Sequence, residues 1–267
     1  MSRGALARHW PEYLIEAAGL GLFMVSAGLF STLLFSPASP LAAWMPDPIV
    51  RRLAMGLAMG ATAVAIVYSP WGKRSGAHLN PAVTFVFWRL GKIETPDAVM
   101  YGIAQFAGGL AGVLAVALAI GAPFTDDPVL YAATQPGAAG AVAAWAGEMT
   151  IAFLHMGAIL IATNTRRLHR YTGVIAGILV ASWITFESPV SGMSLNPART
   201  FGSALPAQIW DTLWIYLTAP VLGMILASTL YGRVRTAPAV KCAKLHHAND
   251  QRCIFRCGYA ADGSSPV

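Results

Sequence analysis

The chain has 267 residues, of which 56% are hydrophobic and only 11% are charged. A soluble domain carries about 25% charged residues, so this composition excludes a soluble globular protein and favours one that is covered by lipid. The net charge of +6 could indicate nucleic-acid binding. The placement of the basic residues explains the charge without it, so we expect no nucleic-acid partner.

Six apolar segments are near the length that a bilayer core requires. The first follows a basic start, but its apolar run is too long for the core of a signal peptide and contains Glu16, which predicts a retained span. The sequence thus predicts an all-α membrane protein with six transmembrane helices. In chain order, the segments are Tyr13–Phe35, Leu53–Tyr68, Ala98–Ile120, Ala141–Thr163, Thr172–Phe186 and Ile209–Tyr231.

The basic residues lie on one side of these six spans. Of the 18 Lys and Arg residues, 15 lie in the N-terminus, around Lys73–Lys92, in the turn Arg166–Arg170 and after Tyr231. Short loops rich in Lys and Arg are typically cytoplasmic. Both termini are therefore predicted to be cytoplasmic, and the connector Gly121–Gly140 is predicted to face outside. The short loops and tails favour a bacterial inner (plasma) membrane.

One short motif occurs twice. Ser75–Phe85 reads SGAHLNPAVTF and Ser191–Phe201 reads SGMSLNPARTF. The copies follow the second and fifth spans, so each unit has three spans and the two units must have opposite orientations. Inverted repeats are typical of channels and transporters, whose functional site lies where the repeats meet. We place the repeats at residues 1–120 and 139–232, and a cytoplasmic tail at 233–267.

Each copy of the motif predicts a short re-entrant helix. Asn followed by Pro is a common helix start, with Asn as the N-cap. The helix-forming residues that follow are only about half as long as the bilayer is thick. Non-helical backbone at membrane depth is tolerated where it lines a watery cavity. Two half-helices should therefore meet near the midplane, and the NH2 groups of Asn80 and Asn196 should be free to donate into a pore.

A carboxylate lies at corresponding places in the two halves, Glu16 in the first span and Glu148 in the fourth. A charged residue within a span is expensive and is usually functional or tightly paired. We interpret each carboxylate as bracing the re-entrant loop of its own half by accepting backbone N–H groups. An ion-coupled transporter that uses them on its pathway is a further hypothesis, which their symmetry disfavours.

The motifs SGAHLNPAV and SGMSLNPAR, on six spans with Glu in the first and fourth, resemble the aquaporin or major intrinsic protein family. The resemblance covers about Tyr13–Gly232. It implies six transmembrane helices and two re-entrant half-helices in an inverted repeat. It also implies a homotetramer with one pore per subunit, passive transport, no enzyme chemistry and no cofactor. Pore diameter, lining donors, an Arg and half-helix dipoles set the selectivity of such pores.

The resemblance also implies roles for individual residues. Arg199 would be the constriction Arg on the extracellular side. His78 is interpreted as a structural neighbour of the cytoplasmic mouth, with a pH-sensitive gate as the alternative. The pore-centre residues would be Asn80, Pro81, Ala82, Asn196, Pro197 and Ala198. Backbone carbonyls would form an acceptor ladder at Gly76, Ala77, His78, Gly192, Met193 and Ser194.

The remaining constriction residues depart from the strict water-channel pattern. Ile184 takes the place of a His, and Met193 takes the loop position. The second-span position is assigned to Met59, with Gly60 and Met55 as alternatives. Ile and Met remove a donor and make the filter more apolar, which favours partly apolar neutral solutes.

The sequence predicts a passive channel for water that can also pass small neutral solutes and excludes protons and ions. Thr200 and Ala204 follow the water-channel pattern and support water as the main permeant. Two alternatives stay open. One is a channel mainly for a small uncharged solute such as glycerol or urea. The other is a poorly conducting structural membrane protein of the same fold, in which Met193 and Ile184 seal the constriction.

All three cysteines lie in the tail after the last span. Three Cys and one His suit structural zinc. The spacing matches no standard zinc motif, however, and reduced cytosolic thiols need no partner. The sequence therefore predicts no bound metal, and it leaves as candidate ligands only Cys242, His246, Cys253 and Cys257.

Overall fold

The protein is described by a computed structural model that covers residues 3–234 and 236–259. Over these residues the chain is helical and has no strand. Two 3-10 turns lie at Leu130–Ala132 and His169–Tyr171. The α-helices are α1 (Arg3–Phe35), α2 (Pro40–Trp44), α3 (Pro48–Tyr68), α4 (Pro70–Ser75), α5 (Pro81–Arg89), α6 (Thr95–Ile120), α7 (Ala122–Thr125), α8 (Gly140–Asn164), α9 (Thr172–Phe186), α10 (Ser188–Ser191), α11 (Pro197–Ala207) and α12 (Leu213–Arg233).

Five of the six predicted spans are long and apolar enough, within the described residues, to cross a membrane: α1, α3, α6, α8 and α12. The sixth, α9, has the predicted bounds but only 15 residues. At 1.5 Å per residue it is about 22 Å long, shorter than a hydrocarbon core of about 30 Å. The 3-10 turn at His169–Tyr171 and the short helix α10 extend it at its two ends.

The two predicted half-helices are α5 and α11. Each begins at the Pro that follows Asn80 or Asn196, and the Asn side-chain oxygen accepts the first free backbone N–H of the helix. The two halves of the chain pack alike, since α1 lies on α6 and α8 lies on α12. Helix α3 packs on α9, and each half-helix contacts both α6 and α12. The half-helices therefore lie between the two halves.

Small residues bring the long helices close together. Gly108 and Gly112 of α6 face Ala17 and Gly21 of α1, and a Cβ at either glycine would overlap backbone atoms of α1. Gly223 of α12 meets the backbone of α8 in the same way. Such small residues are typical of helix interfaces inside membranes. Outward-facing positions carry exposed apolar side chains instead, as expected for contact with lipid; examples are Ile103, Leu118, Ile178 and Leu222.

The helix bundle has two ends, which we name by the segments that lie there. The tail face carries α4, the 3-10 turn at His169–Tyr171 and the tail residues 236–259. The connector face carries α2, α7 and the connector of residues 121–139. At the tail face, the hydroxyl of Tyr68 donates to the carbonyl of Arg170 at 2.6 Å, and the backbone N–H of Lys241 donates to Asn164 Oδ1 at 2.8 Å.

Candidate functional site

A cavity of about 300 Å³ lies between the two halves of the chain. Its walls come from α1, α3, α8 and α9, and from the loops that precede α5 and α11. On α3 the lining residues run from Arg52 to Val67, so the cavity follows this helix for about 22 Å. Leu245 lies at its tail-face end and Pro128 at its connector-face end.

The N-termini of the two half-helices meet at the middle of this cavity. Asn80 Nδ2 donates to the carbonyl of Leu195 at 2.8 Å, and Asn196 Nδ2 donates to the carbonyl of Leu79 at 2.6 Å. Both Asn side chains line the cavity. From the sequence we expected both NH2 groups to be free to donate into the pore. In the structure, each uses one N–H to hold the opposite loop.

The other four residues of the two Asn-Pro-Ala motifs lie outside the cavity lining. Pro81 and Ala82 form the first turn of α5, and Pro197 and Ala198 form the first turn of α11. Ala82 and Ala198 are fully buried. These residues therefore set the position of the two helix starts, while the Asn side chains face the cavity.

The loops before the half-helices have unusual backbone geometry. Ala77, Leu79, Met193 and Leu195 have φ values between 50° and 58°, at equivalent places in the two loops. Positive φ in a non-glycine residue costs on the order of 1–3 kcal/mol and persists only where the surroundings hold it. Hydrogen bonds to each loop must therefore offset this cost.

Glu16 supplies these hydrogen bonds to the loop before α5. Its Oε1 accepts the backbone N–H of His78 at 3.1 Å and the hydroxyl of Ser75 at 2.7 Å. Its Oε2 accepts the backbone N–H of Leu79 at 2.6 Å and the amide of Gln105 at 2.8 Å. Glu16 is fully buried, so these bonds form away from water.

Glu148 makes the equivalent contacts in the second half. Its Oε1 accepts the backbone N–H of Ser194 at 2.5 Å and the hydroxyl of Ser191 at 2.9 Å, and its Oε2 accepts the backbone N–H of Leu195 at 2.8 Å. It too is fully buried. Hydrogen bonds to a charged acceptor are about twice as strong as neutral ones, so each carboxylate can hold its loop in the strained conformation.

Arg199 lies in the first turn of α11 and lines the cavity toward the connector face. Its guanidinium donates to the hydroxyl of Thr134 in the connector. Ile184 and Met193 also line the cavity. The sequence did not identify Thr134, because a connector without a motif gives no indication of where it packs.

Of the three residues considered for the second-span position, Met55 and Met59 line the cavity and Gly60 does not. A Cβ at Gly60 would lie 2.5 Å from the carbonyl oxygen of Gly177 in α9, so this residue is a helix contact. Met55 and Met59 are one turn apart on the same face of α3. Gly60 is thereby removed from the alternatives.

At the tail-face end, the acceptor ladder differs from the expectation. Gly192, Met193 and Ser194 line the cavity, as do Ala77 and His78, but Gly76 does not. The carbonyl of Gly76 accepts the backbone N–H of Leu245 at 3.1 Å, because the tail covers it. The prediction for Gly76 is corrected accordingly.

His78 is buried beneath the tail. Its Nε2 donates to the carbonyl of Ala243 at 2.8 Å, and its Nδ1 lies 3.1 Å from the hydroxyl of Thr84. Its ring stacks on Phe87 and on Phe255, with centroid distances of 5.2 and 5.5 Å. These contacts are those of a structural residue that holds the loop and the tail together.

The sequence analysis missed His155 of α8, which is buried and lines the cavity. Its Nδ1 has no hydrogen-bond partner among the described residues. One signal could have found it. His155 follows Glu148 by seven residues, or two helical turns, and therefore lies on the same face of the helix.

The tail brings a different histidine to the cysteines from the one that the sequence analysis considered. The ligand atoms of Cys242, His247, Cys253 and Cys257 all lie within 4.8 Å of one another. His246 is outside this group, and its ring packs on Tyr68 with a centroid distance of 4.8 Å. Neither His246 nor His247 lies in a helix or strand, so their spacing from the cysteines could not show which ring faces the thiols.

Comparison with known proteins agrees with the helical fold described above. Residues 7–231 match the family described as major intrinsic protein. Aquaporin NIP1-4 of Oryza sativa subsp. japonica is 35% identical over 182 residues, which are 68% of this chain and 64% of that protein. Aquaporin AqpM of Methanothermobacter marburgensis is 36% identical over 195 residues, which are 67% of this chain and 75% of that protein.

A solved structure, the aquaglyceroporin from Plasmodium falciparum, has the same fold. It matches with a TM-score of 0.69 and 21% identity, over 85% of this chain and 97% of that chain. The chain spans about three-fifths of the length of the plant relatives that it matches, 60% of one and 64% of another.

Proposed function

Because the chain belongs to the major intrinsic protein family, whose members are integral membrane proteins and passive channels, we propose that it conducts water and excludes protons and ions. Small neutral solutes would share the pathway. The pathway would be the cavity between the two halves. The observation that carries this proposal is the meeting of Asn80 and Asn196 in that cavity.

The two Asn residues would orient water at the centre of the pathway. Each NH2 group has two N–H donors and uses one on the opposite loop, which leaves one for a molecule in the cavity. Each half-helix start also carries roughly half a positive charge. A water molecule there would turn its oxygen toward these donors, while a proton or cation would be repelled.

On either side of this centre, backbone carbonyls would accept hydrogen bonds from water. The candidates are Ala77 and His78 on one side and Gly192, Met193 and Ser194 on the other, and all five residues line the cavity. We propose that Glu16 and Glu148 hold these carbonyls in place through the loops. Their hydrogen bonds to backbone N–H groups support this role.

Arg199 would form the constriction with Ile184, Met193 and either Met55 or Met59. A small neutral solute is the second candidate permeant, since three of these four positions are apolar. The solved structure with the same fold is described as an aquaglyceroporin, which points the same way. We further propose a homotetramer with one pore per subunit, in a bacterial inner membrane, with the basic tail face in the cytoplasm.

Stopped-flow light scattering on liposomes that contain the purified chain tests this proposal. Water permeability is expected to exceed that of empty liposomes by about tenfold or more, which corresponds to a barrier lower by about 1.4 kcal/mol. Glycerol and urea permeability should rise by less, because water is the proposed main permeant. Both measurements should be made with and without a zinc chelator, because the tail contains a cluster of three Cys and one His whose ligand atoms lie close together. Permeability equal to empty liposomes in both states would overturn the channel, and glycerol flux equal to water flux would favour the second candidate.

A variant of the constriction sharpens the test. Ile184→His restores a hydrogen-bond donor at a position that is now apolar, so it should lower glycerol and urea flux more than water flux. Ile184→Val removes one methylene and is the matched control, which should leave the ratio near that of the unmodified chain. Equal effects of the two substitutions would show that this residue does not select the solute.

A further inference from the structure

The tail covers the tail-face end of the cavity. Leu245 is buried and lines the cavity, and its backbone N–H donates to the carbonyl of Gly76 at 3.1 Å. The carbonyl of Ala243 accepts from His78, and Phe255 stacks on the same imidazole. The tail therefore rests on the loop that carries Asn80.

Other contacts attach the tail to neighbouring loops. The backbone N–H of Arg256 donates to the carbonyl of Lys92 at 3.0 Å, and its side chain pairs with Glu94 at 2.6 Å. The hydroxyl of Tyr259 donates to the carbonyl of Thr163 at 3.2 Å. The segment spans the mouth of the cavity from one side to the other.

Residues 236–259 adopt this position without any helix or strand. A segment of this length without regular structure has no core of its own, so its path depends on contacts with the bundle and on cross-links such as disulfides or a metal. The cysteines are free thiols. The sulfurs of Cys242 and Cys253 are 3.5 Å apart, well beyond a disulfide bond of about 2.05 Å.

The side chains at the centre of the tail lie close enough together to surround one metal ion. Zinc bonds of about 2.3 Å to sulfur and 2.0 Å to nitrogen place neighbouring ligand atoms about 3.5–3.8 Å apart. Cys257 Sγ lies 3.0 Å from His247 Nε2, and all four ligand atoms lie within 4.8 Å of one another. The ring of His247 stacks on Tyr259 with a centroid distance of 4.5 Å, which orients it toward the thiols.

A buried lysine beside the cluster supplies a second, independent observation. Lys244 is only 2% exposed, and its ammonium donates to the carbonyl of Gln251 at 2.8 Å. A buried cation needs negative charge nearby. Three thiolates around one divalent zinc ion carry a net charge of −1, which matches this cation.

A thiolate is the form that binds zinc, so binding of the ion would release the thiol protons to solvent.

We propose that Cys242, His247, Cys253 and Cys257 bind one zinc ion, and that the bound zinc holds Leu245 in the mouth of the cavity and so restricts flux. The metal site is inferred from the tail alone and does not depend on the channel function. The restriction of flux rests on the channel function proposed above. Removal of zinc would release the tail and open the tail-face end.

Metal analysis of the purified full chain tests the site. Inductively coupled plasma mass spectrometry should find about one zinc per chain, as a Cys3His site predicts. His247→Ala and Cys253→Ser should lose it, and His246→Ala, the matched control on the adjacent residue, should keep it. Circular dichroism and gel filtration would check that each variant is folded. Absence of zinc, or equal effects of the two histidine substitutions, would overturn the site.

Two further readouts keep this test decisive. Metal-free protein titrated with Co²⁺ should develop the visible absorption of tetrahedral cobalt–thiolate, and this absorption should be absent in Cys253→Ser. Intact mass under non-reducing conditions should show three free thiols after removal of the metal. A mass lower by two hydrogens in freshly purified protein would show a disulfide in place of the metal and would overturn the proposal.

Flux measurements test the restriction separately. In liposomes, a zinc chelator should raise the water permeability of the unmodified chain several-fold, and added Zn²⁺ should reverse the effect. Leu245→Ala should keep its zinc and conduct at the higher level with or without chelator. Bound zinc whose removal leaves flux unchanged would overturn the restriction. No flux in any state, with zinc still bound, would overturn the channel function and leave the metal site intact.

Discussion

The two copies of the repeated motif differ at a residue that lines the cavity in both. Val83 follows the first Asn-Pro-Ala and Arg199 follows the second. Val83 is buried and apolar, whereas Arg199 reaches Thr134 in the connector. The fixed charge thus lies on the connector-face side of the centre alone. An ion that crosses the cavity would meet this charge in addition to Arg52, which also lines the cavity, and the two half-helix starts.

The substitution Arg199→Val, which gives the second motif the residue of the first, tests this charge. Two unit charges 4 Å apart interact by about 4 kcal/mol at a surface-like dielectric constant, so loss of the charge should raise proton flux by about tenfold or more. Water flux should change much less, since the Asn donors remain. Proteoliposomes that contain a pH-sensitive dye would report proton flux.

Arg199→Lys is the control for this prediction, because it keeps the charge and loses the forked geometry. Its proton flux should stay close to that of the unmodified chain. If the proton flux of Arg199→Val equals that of the unmodified chain, the charge of Arg199 does not contribute to the barrier, which is then left to the half-helix starts and Arg52.

The individual residues that could be identified from the sequence are those of the repeated motif. Asn80, Asn196, Glu16 and Glu148 recur at equivalent places, and that recurrence is visible without a structure. Their functional roles stay predictions. His155 has no counterpart elsewhere in the chain to mark it. Met55 and Met59 share one face of α3, so the choice between them depends on their depth along the cavity. That depth is set by the packing of α3 against α9, which no local pattern encodes.

At the level of elements, the long helices and half-helices were predictable because their signals are local. Apolar length marks the spans, and Asn-Pro marks the starts of α5 and α11. The short helices α4 and α10 were not predicted. Each ends at a glycine with positive φ, Gly76 or Gly192, just before a strained loop. The last residues of these helices, Ser75 and Ser191, donate to Glu16 and Glu148. These are tertiary contacts, which a local sequence pattern does not reveal.

Contact between α1 and α6 depends on small residues, and this leads to a prediction. Gly108→Ala adds a Cβ that would overlap the backbone at Ala17. Overpacking of this kind typically costs about 1–3 kcal/mol, more than the roughly 1 kcal/mol that Ala gains over Gly in a helix. The thermal unfolding temperature in detergent should therefore fall.

Gly102→Ala in the same helix is the matched control. A Cβ there meets no atom within 4 Å, so the substitution should leave stability unchanged or slightly higher. Scanning fluorimetry of the two variants under identical conditions would give the difference. Equal unfolding temperatures would show that α1 and α6 can move apart at no cost, against the close packing seen here.

The whole molecule combines a repeated core with an unrepeated tail. The core of residues 1–120 and 139–232, which we propose as two repeats, supplies most of the cavity wall, and the connector and the tail supply the rest. The tail, residues 233–267 in our division, closes one end only, and its described part runs to Tyr259. This asymmetry could not be read from the sequence, because the tail has no counterpart in either repeat and its path depends on contacts with His78 and Gly76.

Sidedness in the membrane follows from this architecture and gives the last prediction. The native cysteines all lie in the tail, and Asp211 is exposed between α11 and α12, on the connector face. In intact cells, an impermeant maleimide should label Asp211→Cys in a variant whose tail cysteines are Ser. Native cysteines, with chelator present, should react only in inverted vesicles, because basic segments stay in the cytoplasm. Labelling of the native tail in intact cells would reverse the proposed orientation and place Leu245 at the outer mouth.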